Sequence, residues 1–314
     1  MIKNLDIICI GEGLIELSSD MSLSYASCLN KYYGGDAICT AVAAVRLGSK
    51  VGLISRVGND FFKDFLIESW QMENIDTSHI KLVDGVNALY FITRPKDKSK
   101  EFAYYRRKSA ATNLSIDDIC PDYIKNASII YSTGVTQSLS ISAKEAVKEA
   151  FKLAKENGST VAYDPNFTPL LHIHDESREA FEDVIDYVDI LFLNLKHDAT
   201  ELWELESPEK IIKYLSDKGV SIVVIKQGKD GYTIGYNREI KHIPSFTEEV
   251  VDSTSCGDAF NGAFLHGISS GLTPFESARL GALVVQEQIK GIGAIKSIPY
   301  RDEVYTKFKN MKEQ

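Results

Sequence analysis

The sequence predicts an α/β fold: a mostly parallel central sheet with helices on both faces, plus a small antiparallel sheet near the start of the chain. Two patterns predict it. From about residue 125, short β-branched runs alternate with longer stretches whose apolar residues follow a helical period. Before that point, alternating or aromatic-rich runs follow one another without helices between them. A chain of 314 residues that is 44% hydrophobic can bury the core such a fold needs.

Leu5–Gly11 is the first core strand. Gly11-Glu12-Gly13 starts like a dinucleotide-binding loop, but the third glycine is missing and Leu14–Ser18 reads as another strand, which argues against a Rossmann site. A helix from about Ala37 to Leu47 leads to the strand Val51–Val57. Asn87–Thr93 and Glu101–Arg106 complete the small sheet, joined by the polar turn cluster Pro95-Lys96-Asp97-Lys98-Ser99-Lys100. Such a sheet serves either as a cover over a site or as a solvated hairpin.

The core strands Ser128–Ser132, Thr160–Asp164, Asp189–Asn194 and Ser221–Lys226 follow. Between the first two lies a helix, Ser142–Asn157, with Ala143, Ala146, Val147, Ala150, Phe151 and Ala154 on one face. Ser142 with Glu145 reads as its capping box and Gly158 as its stop. Gly267-Ile268-Ser269-Ser270-Gly271 matches a nucleophile elbow in letters only. It closes a helix, so Gly271 is a C-terminal cap.

Composition excludes several functions. Thirty-five basic against 44 acidic residues give a net charge of −9, which repels nucleic acid. No run of 18 apolar residues predicts a membrane helix, and the apolar start is too short for a secretory segment. Five scattered cysteines argue against disulfides or structural zinc and fit a reducing, cytoplasmic setting. His172 and His174 fall in a loop without metal-ligand spacing.

The chemistry-bearing segment is Val250–Phe260. Small residues lead into a helix whose first amides, from Ser255 to Asp258, would be orphan donors aimed at an anion. Asp258 sets a carboxylate beside that anion, as a group accepting a proton from an attacking hydroxyl would be set. An acidic first turn serving only the helix dipole is the competing reading.

Here the sequence resembles the ribokinase-like (PfkB) carbohydrate kinases. Asp252-Ser253-Thr254-Ser255-Cys256-Gly257-Asp258 is similar to their Asp-Thr-Thr-Gly-Ala-Gly-Asp signature. Gly34-Gly35-Asp36 with Arg46-Leu47-Gly48, and Val57-Gly58-Asn59-Asp60 with Asn74–Ser78, resemble the two N-terminal blocks. Gly11–Leu17, Tyr104-Tyr105-Arg106 with Ser109–Ala111, and Asp164-Pro165-Asn166 are similar to the 2-keto-3-deoxygluconate kinases.

The resemblance implies one ribokinase-like, three-layer α/β/α domain over residues 1–314, with β-lid segments at about 12–34 and 86–108. It implies ATP with Mg²⁺ as donor and a sugar or sugar-acid hydroxyl as acceptor. Asp258 is the implied base, with Ser255, Cys256 and Gly257 as anion hole. Gly34, Gly35, Tyr90, Tyr104 and Arg106 are the implied sugar contacts; Asn194, Lys226, Gly228 and Gly231 are the implied nucleotide side. Asp252 stands where relatives often hold K⁺, and relatives often pair their lid sheets as homodimers.

Four places depart from the family pattern. The Gly-Ala of the anion hole is Ser255-Cys256, which calls for an uncommon φ at Ser255. Cys39 replaces an asparagine; Thr168 and Leu170 stand where arginines are common. The magnesium-organising Asn-x-x-Glu reads Asn194-Leu195-Lys196-His197, with Asp198 adjacent. A buried arginine–carboxylate hydrogen bond is worth roughly 1.5–3 kcal/mol. Its loss would weaken binding or redirect preference towards a neutral sugar such as fructose. The four together leave a degenerate, binding-only homologue as the alternative.

Overall fold

β1 (Leu5–Ile10) sends its side chains alternately into two apolar cores: Ile7 and Cys9 into one, Ile8 and Ile10 into the other. A strand buried on both faces belongs at the centre of a covered sheet. The computed structural model describes residues 3–95, 100–246 and 249–312, and residues 96–99 of the expected turn cluster lie outside them.

The remaining strands are β2 (Leu14–Ser19), β3 (Asn30–Gly34), β4 (Val51–Gly58), β5 (Asp76–Val83), β6 (Ala88–Thr93), β7 (Glu101–Tyr105), β8 (Ala127–Thr133), β9 (Thr160–Asp164), β10 (Ile190–Asn194), β11 (Ile222–Lys226), β12 (Tyr232–Tyr236) and β13 (Glu239–Ile243). Nine form the main sheet, in the order β13-β12-β11-β10-β9-β8-β1-β4-β5. Its pairings are parallel from β11 to β5, and β12 and β13 add an antiparallel edge. From β1 the chain winds outward to β4 and β5, then restarts at β8 on the other side. That reversal opens a crevice at the carboxyl ends of β1 and β8, the usual ligand position in such sheets.

The small sheet has the order β3-β2-β6-β7. Its two hairpin pairings are antiparallel. The central β2–β6 pairing is parallel, which the long connection between these strands permits.

Two local expectations need correction. The 141–156 helix is capped by Ser140, whose hydroxyl accepts from Ala143 N; Ser142 sits inside the first turn and bonds Ser140 instead. His174 opens the His174–Glu182 helix and is not in a loop. Gly158 (φ 64°) and Gly271 (φ 83°) are left-handed stops, as expected.

The helices Asp36–Leu47 and Cys256–Ser269 cross in close contact. A Cβ on Gly262 would stand 2.2 Å from Thr40 O and 2.8 Å from Ala43 Cβ, so only glycine allows this approach. Thr40 Oγ1 donates to Asp258 O at 3.1 Å and ties the two together. Both helices therefore aim their N-termini at the same crevice. Among the described residues no helix is long and apolar enough to cross a membrane.

Candidate active site

The strand ends supply the site. Glu12 follows β1, and Asp164, Asn194 and Lys226 are the last residues of β9, β10 and β11. Two cavities open here. The smaller, about 170 Å³, is lined by Glu12, Asp36, Tyr90, Tyr104 and Thr168 on its flanks. The larger, about 600 Å³, is lined by Asn194, Asp198, Lys226, Gly228, Cys256 and Gly257. Asn166, Ser255 and Asp258 line both, so the cavities meet at the first turn of the 256–269 helix.

Asp258 is buried, and burial together with the negative Asp36 pushes its carboxyl well above the ordinary range. Lys226 and a hydrogen bond from the Ser255 hydroxyl pull the other way. A carboxylate so placed is a better proton acceptor near neutral pH than an exposed one. Asn166, held at φ 47°, turns its amide between Asp258 Oδ1 (3.4 Å) and Asp36 Oδ2 (3.3 Å).

Ser255 adopts φ 57°, as the replacement of glycine requires. Cys256 N is committed to Ser253 O at 3.3 Å, which removes it from the expected donors. The amides of Gly257 and Asp258 find no backbone acceptor among the described residues; that of Gly257 has only the Cys256 sulfur beside it, and both stand at the helix N-terminus. Such an end attracts an anion through its amides and its dipole.

Lys226 lines the larger cavity, but its ammonium lies 2.5 Å from Asp164 Oδ2 and is buried. Burial alone would lower it; the adjacent Asp164 holds it above its ordinary value, so it stays charged. Asn194 caps the following turn, accepting from Lys196 N and His197 N, both at 3.0 Å. Asp198 accepts from Phe167 N and Asn194 N, and burial with the nearby Asp164 pushes it up to about 7. Gly228 lines the cavity, whereas Gly231 does not. A Cβ there would meet Ile243 O at 2.3 Å, so Gly231 serves the β12–β13 corner and the nucleotide expectation for it is corrected.

In the smaller cavity Tyr90 and Tyr104 stack with ring centroids 5.7 Å apart. Tyr90 donates to the buried Glu16, and Gly34 lies under its hydroxyl, 2.6 Å from where a Cβ would be. Gly35 lines the cavity at φ 119°. Arg106 Nη2 pairs with Glu12 Oε1 at 2.6 Å. Burial pushes the Glu12 carboxyl up to about 7 despite that partner.

The donors near Asn194 suit magnesium. It is a hard cation that keeps waters and takes few protein carboxylates besides substrate phosphates. Asp198 accepts one bond at each oxygen and keeps lone pairs to spare, whereas both lone pairs of Asn194 Oδ1 are taken by Lys196 N and His197 N; among the described residues no closed cage of three ligands exists. Potassium at Asp252 does not fit. Asp252 is ion-paired to Arg94 (2.8 Å) and Lys100 (2.5 Å). The expectation of a bound cation there is therefore corrected: two side chains already supply the charge.

The pfkB family carbohydrate kinase model matches residues 4–301. The chain belongs to that family. A 2-dehydro-3-deoxygluconokinase from Thermoproteus tenax is 31% identical, over 86% of this chain and 84% of its own. An ATP-dependent 6-phosphofructokinase from Thermoanaerobacterium thermosaccharolyticum is 28% identical, over 96% and 93%. An uncharacterized sugar kinase from Pyrococcus horikoshii, solved in complex with ATP, superposes with a TM-score of 0.79 at 29% identity, over 96% and 97%.

Within this pfkB chain the fold brings together Asp258, Ser255, Cys256, Gly257, Gly35, Tyr90, Tyr104, Asn194, Lys226 and Gly228. Gly34 and Arg106 stand just behind, and Asp252 and Gly231 lie elsewhere. Sequence reasoning assigned no role to Glu12, Asp36, Asp164, Asn166 or Asn261. Asn261 Nδ2 donates to Asp164 Oδ2 at 2.6 Å and steadies the Lys226 pair. The signal was present for Glu12 and Asp164: a carboxylate at the end of an otherwise apolar strand needs a reason to be there.

Proposed function

We propose that this chain is an ATP-dependent kinase that phosphorylates a hydroxyl of a sugar or sugar acid, with 2-keto-3-deoxygluconate as the leading acceptor. The single observation that carries the reading is the meeting of the two cavities at Asp258. The smaller takes the acceptor against Tyr90 and Tyr104, which offer apolar faces and hydroxyls to a sugar ring. The larger takes ATP, whose phosphates reach the amides of Gly257 and Asp258.

Asp258 accepts the acceptor hydroxyl's proton while that oxygen bonds to the γ-phosphorus. The bond from γ-phosphorus to the bridging oxygen breaks, and ADP leaves with its electron pair. The Gly257 and Asp258 amides stabilise the charge on the transferring group, and Lys226 offsets the carboxylates around it. Asp198 would hold magnesium together with the phosphates, and the ion would supply further charge neutralisation there. The Tyr90-bearing sheet covers the acceptor and keeps water from taking its place.

The Thermoproteus relative's name and Arg106 beside the small cavity support the sugar acid. One observation favours a second reading. Glu12 already holds Arg106, and Thr168 stands where a second arginine is expected, so a neutral sugar such as fructose meets less charge conflict. A coupled ADP-release screen over 2-keto-3-deoxygluconate, fructose and ribose tests both. Highest kcat/KM on the acid supports the first reading and on fructose the second. No turnover with any sugar, alongside intact nucleotide binding, establishes the binding-only homologue.

A further inference from the structure

Both ends of the β6–β7 hairpin reach one carboxylate. Arg94 follows β6, Lys100 precedes β7, and both meet Asp252, eight tenths of the way along the chain. Asp252 Oδ1 accepts from Lys100 Nζ, Thr254 N (3.0 Å) and Thr254 Oγ1 (2.6 Å). Oδ2 accepts from Gly293 N (3.0 Å) and faces Arg94 Nη2. A carboxylate has about four lone-pair sites, and these partners fill them. Thr254 in turn leads into Ser255 and the amides of the helix start.

Arg94 also stands within electrostatic reach of the buried Glu16, which accepts from Tyr90 in the small cavity. The charges thus alternate: Glu16, Arg94, Asp252, Lys100. This balanced row runs from the acceptor cavity to the anion turn. A potassium ion added at Asp252 would find its charge already matched and its oxygens occupied.

We propose that Arg94 and Lys100 are positioning residues that act as built-in counter-ions of Asp252. They hold the Thr254–Asp258 turn in place of a monovalent cation, and the protein is therefore indifferent to potassium. The role of the turn rests on the kinase reading above, whereas the latch itself is measured without turnover.

The test follows hydrogen exchange of residues 253–258 in the wild type, Lys100→Met and Lys100→Arg, in KCl and in choline chloride at equal ionic strength. Exchange in this segment should rise about tenfold in Lys100→Met, as loss of a charge-assisted contact allows. It should be restored in Lys100→Arg and be unaffected by the salt in the wild type. Turnover, read in parallel, should fall through kcat with sugar KM nearly unchanged in Lys100→Met, and show no potassium activation in the wild type. Unchanged exchange in Lys100→Met, or protection of the wild-type segment by potassium alone, overturns the proposal. Absence of any turnover overturns the kinase reading, and the exchange result then stands by itself.

Discussion

Asp36 and Asp258 face each other across one amide. Asn166 Nδ2 reaches the first at 3.3 Å and the second at 3.4 Å, and each carboxylate opens a different helix. Burial raises both carboxyls, and the negative Asp36 raises Asp258 further, so this pairing helps set the protonation behaviour of the site.

Asp258→Asn should lose about 10²- to 10⁴-fold in kcat, the usual range for a general base. Sugar and ADP affinities by calorimetry should stay near wild type. The variant should also melt higher at pH 8. A carboxyl raised in the folded state stabilises fully only below its unfolded value, and that contribution disappears as pH rises through the folded value. Asparagine removes this penalty, so the gap in melting temperature should widen with pH. A variant that is both active and less stable would contradict the assignment.

The acid limb of kcat/KM should report Asp258. Asp36 is the first charged group that raises it, so Asp36→Asn lowers the Asp258 carboxyl and moves that limb to lower pH. A pH–rate profile of the two proteins checks the direction. An unmoved limb would mean another group governs it.

Ser255→Gly separates backbone strain from the hydroxyl's electrostatic role. Relief of the left-handed φ should stabilise by about 1 kcal/mol in urea titration. Loss of the hydroxyl hydrogen bond raises Asp258 further, so the acid limb should move to higher pH. The plateau rate should change little, because the remaining donors are the Gly257 and Asp258 amides.

Gly34→Ala should act on the acceptor alone. Its methyl would stand 2.6 Å from the Tyr90 hydroxyl, which cannot retreat freely because Glu16 holds it. Sugar KM should rise about tenfold, the scale of one displaced pocket contact, with ATP KM unchanged. Equal rises in both constants would show a global disturbance instead.

The core was legible because its chemistry is local. The runs around Ile8, Ile130, Ala162, Phe192 and Val224 carry their burial in their own composition, and each became a strand. The turn at Ser255 was legible through the family resemblance, which sets a glycine there and so calls for its left-handed φ. Other parts depend on partners far along the chain. Lys226 looks free until Asp164 comes beside it, 62 residues away. Arg94 and Lys100 look like a solvated turn until Asp252 arrives, and only then does the cation expected at Asp252 become redundant. Gly231 was misassigned because a glycine needed by a neighbouring strand looks the same as one needed by a ligand.

The parallel β2–β6 pairing has a consequence for the order of assembly. Glu16 and Tyr90 meet across 74 residues, and β4 and β5, which pair in the other sheet, lie between them in sequence. Closing so long a loop is entropically slow, and little rewards it until the intervening strands have docked. The cover therefore closes only after β4 and β5 have been threaded between its halves, although the β1–β8 pairing of the main sheet closes a longer loop still. A chain still being synthesised has all four cover strands by Tyr105, before Asp164, Asn194, Lys226 and Asp258 exist, so the cover waits for a site that is completed last.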